Sequence, residues 1–416
     1  MFGTFGTSAT SATSGDALAV AGGTPVRTAA FPPWPVFAED EIEATVRVLR
    51  SGRVNYWTGV EGRAFEHEFA AAVGAPYAVA LSNGTVALEL ALQAVGIGPG
   101  DEVVVPARTF VATASAVVAV GARPVVADID LVSQTLTAAT VDAVRTPRTR
   151  AVIPVHLGGW PAPMAELMSL AARHDLVVVE DCAQAHGARL AGRSVGTLGH
   201  VAAWSFCQDK IITTLGEGGA VTTGDEEIWR TVWERKDHGK SFAAVYERTH
   251  PPGFRWLHES FGTNARMTEV QAAQGRRALA RLPSWSERRR ALAAVLDEGL
   301  ADVPGLRVPV PPSDVRHAYY KYYAFVRPER LAPGWDRDAV MTAIEAEGVP
   351  CLQGACAEIY REKAFDGVGR PEHPLPVARE LGETSLMLMV HPTLTKREID
   401  DTVEAIRKVM RVAAPE

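Results

Sequence analysis

The chain has 416 residues, 47% of them hydrophobic, long enough for about two domains and apolar enough to bury a large core. Its formal net charge of -7, with acids and bases interspersed, offers no basic stripe to nucleic acid or to an anionic membrane, so a small molecule is the expected partner. The cysteines, Cys182, Cys207, Cys351 and Cys356, form no C-x-x-C pair and no zinc-like spacing with histidine, which predicts free thiols, no metal site and a cytoplasmic setting.

The opening MFGTFGTSATSATSGD has neither a basic start nor an apolar run, so residues 1–17 are expected to be a disordered tail rather than a signal or an anchor. No stretch of about 18 apolar residues follows, and no membrane span is predicted. From residue 77, short β-branched runs alternate with helical patterns: YAVALSN, VVVPA, RPVVADID, RAVIPVH, DLVVVEDCA, VAAWSFC and AVTTGD are read as strands. Runs such as VVVP and LVVVE are apolar at both alternating sets of positions, as strands covered by helices on both faces must be. The fold class is therefore α/β with a mostly parallel seven-stranded sheet. The basic, alanine-rich stretch from EVQAAQGRRALARL onward reads as one or two connecting helices. Beyond it lie a strand signal in HAYYKYYAFVRPE, a helix in DAVMTAIEAEGV, the irregular PCLQGACAEIY and a terminal helix from KREID. The division expected is a large domain over 18–284 and a smaller α+β domain over 285–416.

Ligands of an open parallel sheet gather beyond the carboxyl ends of its strands, which gives weight to polar residues that follow apolar runs. In SNGTVALELAL a strand meets a helix start whose free amides make a phosphate seat, unless Ser82 or Thr85 only caps the helix. Asp181 follows a fully apolar run and needs hydrogen-bond donors or a cation. A protonated pyridine nitrogen at about 4 Å, at an effective dielectric near 20, gains roughly 4 kcal/mol from such a carboxylate; a local cap is the plain alternative. Ser205 and Lys210 flank the exit of VAAWSFC, just before GEGG, where glycine permits close approach of backbone to a ligand. Lys210 is either a reactive amine or a solvated charge. Phe110, after VVVPA, is either a shelf for an aromatic ring or a core residue.

In their chain order these features resemble a fold-type I pyridoxal phosphate enzyme. The sequence resembles the DegT/DnrJ/EryC1/StrS sugar aminotransferases in LAVAGGTPVR, WTGVEGRAFEHEFA, SNGTVALELAL, PARTFVATA, VVVEDCAQAHGA, WSFCQDK, GEGGAV, FGTNARMTEVQAA and HPTLT. The resemblance implies that Lys210 is the covalent, proton-moving lysine and that Asp181 partners the pyridine nitrogen. Gln184 would approach the phenolic oxygen of the cofactor, Phe110 would stack on its ring, and Gly84, Thr85 and Ser205 would hold its phosphate. Asn264 would complete that cradle from a neighbouring subunit, which makes the protein a homodimer with shared sites. Candidate substrate contacts are Thr58, His186, His317 and Tyr319, with Arg266 and Lys240 facing a diphosphate. Cys207, Gln208, Asp209 and Leu215 depart from the commoner family pattern around the lysine.

The implied reaction moves an amino group from L-glutamate, by way of pyridoxamine phosphate, to a nucleotide-linked (dTDP) 4-keto-6-deoxyhexose in amino-sugar biosynthesis. Rival readings are a 3-keto sugar or a scyllo-inosose-type cyclitol as acceptor, and a regulatory protein of the same fold. Relatives that abandoned amination carry histidine in place of the lysine, whereas this chain keeps Lys210.

Overall fold

The computed structural model describes residues 17–415, so the tail expected over 1–17 lies outside the described residues except for Ala17. Every strand expected between 77 and 225 forms: β1 (Tyr77–Leu81), β2 (Glu102–Pro106), β3 (Arg123–Ala127), β4 (Thr149–Val152), β5 (Val177–Asp181), β6 (Val201–Ser205) and β7 (Gly219–Thr223). They lie in the order β1-β7-β6-β5-β4-β2-β3. From β6 across to β3 all neighbours are parallel, and β7 runs antiparallel to β1 and β6.

The consecutive valines of β2 show why these strands are apolar throughout. Val103 and Val105 pack with Leu88 and Ala91 of one helix and Ala114 and Val117 of another. Val104, pointing the other way, packs with Leu167, Leu170 and Ala171 of Met164–His174. A sheet sandwiched in this way has no solvent face on which polar residues would be stable. Because β1, β2, β5 and β6 run the same way, their carboxyl ends open on one edge of the sheet.

Behind that edge Glu180 serves as an anchor. Its carboxylate accepts hydrogen bonds from His156 Nε2 at 2.9 Å and from the backbone amides of Gly196, Leu198 and Gly199 at 2.6–2.8 Å. Since Ala162 N donates to His156 Nδ1, the proton of the neutral ring sits on Nε2. Burial works to raise the pKa of Glu180, but these donors hold it below the ordinary carboxylate value. The adjacent Asp181 is thereby fixed at the strand end.

A second sheet lies toward the C-terminus, with β8 (Leu306–Arg307), β9 (Tyr322–Val326), β11 (Ser385–Leu388) and β10 (Cys351–Leu352) side by side in that order. The connector between the two sheets is a single helix, Glu269–Leu300, with Pro283 inside it and Thr268 capping its start through Gln271 N. Its first half contributes Ala272, Ala278 and Leu279 to the core beneath the large sheet. Its second half contributes Leu292, Leu296 and Leu300 to the core of the small one.

Leu18, expected at the head of the large domain, packs instead in the small sheet's core. Polar ties hold its segment there, because Ala19 N and Val26 N donate to the Glu347 carboxylate and Arg27 pairs with Glu398 and Asp401.

Candidate active site

A cavity of about 1190 Å³ opens at the carboxyl ends of β1, β2, β5 and β6, with Tyr320, Lys321, Tyr323, Gln353 and Met387 of the C-terminal unit forming its opposite wall. At the first strand end, Asn83 caps the helix Gly84–Ala94 by accepting from Val86 N at 2.9 Å. The expected caps, Ser82 and Thr85, do not fill that role. The amides at the helix start have no intrahelical acceptor and are available to an anion. Gly84 is required by contact: a Cβ there would lie 2.6 Å from Ser205 Cβ, so the helix start and the end of β6 meet with no room between them.

Asp181 is buried at the end of β5. Its Oδ2 accepts from Thr113 Oγ1 at 3.0 Å and its Oδ1 from Ala183 N at 3.1 Å. The Thr109 and Thr113 hydroxyls are 2.9 Å apart, and since Thr113 spends its proton on Asp181, Thr109 donates to Thr113. Burial raises the Asp181 pKa, opposed by the Ala183 amide, by Thr113 and by the charge of Lys210. A carboxylate held this way, with neutral donors on one side and a cavity on the other, suits a cationic ligand group.

Lys210 lines the same cavity. Its loop is pinned by Lys210 N donating to Cys207 O at 3.1 Å and by Trp34 Nε1 donating to Lys210 O at 3.0 Å. Its Nζ stands 4.9 Å from the centre of the Tyr320 ring. Gln184 and Phe110 complete this wall. The Gln184 side-chain oxygen accepts from Gly158 N at 2.7 Å, and Phe110 leaves 67% of its surface exposed, which rules out the core reading.

With this geometry in place, comparison with known proteins identifies the lineage: the model of the DegT/DnrJ/EryC1/StrS aminotransferase family matches residues 35–407. The chain belongs to this family. The dTDP-3-amino-3,4,6-trideoxy-alpha-D-glucose transaminase of Streptomyces venezuelae is 40% identical, over 88% of this chain and 90% of that protein. The L-glutamine:2-deoxy-scyllo-inosose aminotransferase of Micromonospora echinospora is 36% identical, over 94% of this chain and 97% of that one. A crystal structure of the aminotransferase from Psychrobacter cryohalolentis superposes with a TM-score of 0.89 at 54% identity, covering 90% of this chain and 98% of its own. The protein is thus a pyridoxal phosphate-dependent transaminase with the fold-type I architecture.

The residues of this aminotransferase fit the cofactor of its family. Gly84, Thr85, Phe110, Asp181, Gln184, Ser205 and Lys210 all line one cavity, with a helix start whose amides are free at one end and, at the other, a buried carboxylate that has no cationic hydrogen-bond partner among the described residues.

The expected substrate residues fare differently, and none of them lines this chain's cavity. Thr58 is exposed and donates to Asn55 O, neither reaching the cavity nor capping the helix that follows. His186 is buried against Trp204 and Phe206, and burial depresses its pKa to about 3. His317 and Tyr319 stack on each other at 4.0 Å and border a separate hollow of about 790 Å³. Their neighbours Tyr320 and Lys321 face the cavity instead. Arg266 and Lys240 both turn to the buried carboxylate of Asp237 rather than to a ligand.

Asn264 is exposed and pairs through its backbone with Asp237, away from its own chain's cavity. Asn83, Thr113, Asp209, Tyr320 and Lys321 also line the cavity without a site role assigned to them from the sequence; Asp209 was marked there only as a departure from the pattern around the lysine.

Proposed function

We propose that this transaminase carries an amino group from L-glutamate to a nucleotide-linked keto-deoxyhexose, with Lys210 as the residue that holds and moves the proton. The observation that carries the reading is the pairing, on one cavity, of the Lys210 amine with the desolvated Asp181 carboxylate.

When bound, pyridoxal phosphate supplies the electron sink. Asp181, itself oriented by the Thr109–Thr113 hydroxyl relay, would keep the ring nitrogen of that group protonated. The helix start at Gly84 and Thr85, together with Ser205, would hold its phosphate, Phe110 would cover a ring face and Gln184 would approach the phenolic oxygen. Lys210 Nζ would take the proton from the donor's α-carbon and deliver a proton to the carbon that had been the cofactor's aldehyde carbon, across the donor nitrogen, acting as general base and then general acid. Asn264 reaches the phosphate seat of a partner subunit in a homodimer. Its exposure outside its own cavity and the exposed apolar residues Phe254, Trp256 and Phe261 on the same excursion of the chain support that reading.

A nucleotide-linked acceptor is favoured by the Streptomyces venezuelae relative, whose name specifies a dTDP-sugar. Amination at C-4 is the expectation from the sequence. The 3-amino product named for that relative favours a 3-keto sugar as the second reading. The test offers the purified protein glutamate or glutamine with each of three acceptors, dTDP-4-keto-6-deoxyglucose, its 3-keto isomer and scyllo-inosose, and identifies products by mass spectrometry and NMR. Amination of a dTDP-sugar with release of 2-oxoglutarate is expected. Turnover of the cyclitol alone, or of no acceptor, would overturn the proposal.

A further inference from the structure

Asp209 and Tyr320 have no part in the reaction just described, yet they stand against its reactive amine. The Tyr320 hydroxyl donates to Asp209 Oδ2 at 2.5 Å, and Lys210 Nζ lies 4.9 Å from the centre of the same ring. Asp209 immediately precedes Lys210, whereas Tyr320 belongs to the segment leading into β9. The bond therefore ties the lysine loop of the large sheet to the opposite wall of the cavity. Tyr320 is buried, and burial raises its pKa far above the ordinary phenol value, so its hydroxyl remains a donor. Asp209 is the acceptor: burial works to raise its pKa, but the Tyr320 hydroxyl and the charges of Lys210 and Lys321 hold it below the ordinary value.

The negative face of an aromatic ring attracts an ammonium. We infer that Tyr320, oriented by Asp209, is a positioning residue for Lys210, its ring serving as the resting place of the lysine ammonium whenever Nζ is not covalently engaged. A second ammonium, that of Lys321, lies 4.8 Å from the same ring centre and 3.6 Å from Asp209 Oδ2. The tether thus also sets the spacing of two cavity cations. This inference rests on Lys210 being the reactive amine, but not on the identity of the acceptor sugar.

The test uses the full-length, cofactor-free protein and needs no substrate. Lys210 is acetylated competitively with acetic anhydride at a series of pH values and quantified by peptide mass spectrometry against the exposed Lys363. The midpoint of the labelling curve reports how strongly the ammonium is favoured; the plateau reports access. Besides the ring, the charged groups that interact with Lys210 are Asp181, Asp209 and Lys321, with the neutral His186 also facing it, and all of them remain in the Tyr320 variants.

Tyr320→Leu is expected to lower the midpoint by about one pH unit, a tenfold faster labelling on the acid side. Tyr320→Phe, which keeps the ring but loses the hydroxyl that Asp209 holds, should lower the midpoint by less than Tyr320→Leu does. Asp209→Asn, on the partly exposed loop, should also lower the midpoint, by removing a charge and replacing the charge-assisted tether with a weaker neutral hydrogen bond. Circular dichroism establishes that each variant is folded. A midpoint that stays at the wild-type pH in folded Tyr320→Leu, even with a higher plateau, overturns the inference. Should that variant not fold, an unmoved midpoint in Asp209→Asn does the same. A failure of every acceptor in the turnover assay would leave these labelling curves unaffected.

Discussion

Replacing Lys210 by alanine removes a single amine and no packing of consequence, since its loop is held through backbone atoms by Cys207 and Trp34. Turnover is expected to fall by more than about 10³-fold with an unchanged melting temperature; activity within tenfold of wild type would refute the assigned role. His317 gives a prediction of a different kind. Burial depresses its pKa to about 3, whereas an unfolded histidine titrates near 6.5. Between those values the unfolded state binds the extra proton, so this residue's contribution to stability is intact above about pH 6.5 and is lost as pH falls toward 3. His186 acts with the same sign. His317→Gln retains an acceptor for Tyr319 N, which the native Nδ1 supplies at 2.7 Å. Melting temperatures between about pH 6.5 and pH 5 should decline less steeply in this variant than in wild type, and parallel slopes would show that His317 does not titrate as described.

At the scale of elements, the site is a property of strand ends and of what they touch. The start of the helix Gly84–Ala94 abuts the end of β6, and a methyl group at position 84 has no space beside Ser205. Gly84→Ala is therefore expected to cost about 1–3 kcal/mol of stability through overpacking, read by urea denaturation. It should also weaken pyridoxal phosphate binding in a fluorescence titration, because the helix start must move away from the phosphate seat. Unchanged affinity would place that seat elsewhere. The strands themselves were legible in the sequence, since a run such as VVVPA flanked by turn residues has few other stable uses. The register of HAYYKYYAFV was not. Period-two alternation points to His317 and Tyr319, but the chain enters β9 only at Tyr322, after Tyr319 adopts a positive φ of 48°. That turn brings Tyr320 and Lys321 to the cavity.

Across the whole molecule, two cores share the helix Glu269–Leu300, and the cavity lies where the large sheet meets the C-terminal unit. A site assembled in a homodimer predicts complementation. If Lys210 of one subunit works with Asn264 of the other, mixed dimers of Lys210→Ala and Asn264→Ala contain one intact site. Random mixing of the two inactive proteins should then restore about a quarter of wild-type activity. No recovery would mean that Asn264 serves its own chain or no site at all.

The sequence by itself determined the order of strands and helices along the chain and the residues near the strand ends, because apolar runs fix the strands and Asp181, Gly84 and Lys210 lie within a few residues of their exits. The resemblance of its motifs to the family then supplied the cofactor chemistry. The tertiary structure alone decided that Asn83 caps the helix, that His186 is core, that Leu18 belongs to the C-terminal unit and that Tyr320 faces Lys210. Apart from the local Asn83–Val86 cap, each depends on a contact between segments distant along the chain, and neither periodicity nor composition records which of several apolar or aromatic side chains a fold turns toward its cavity.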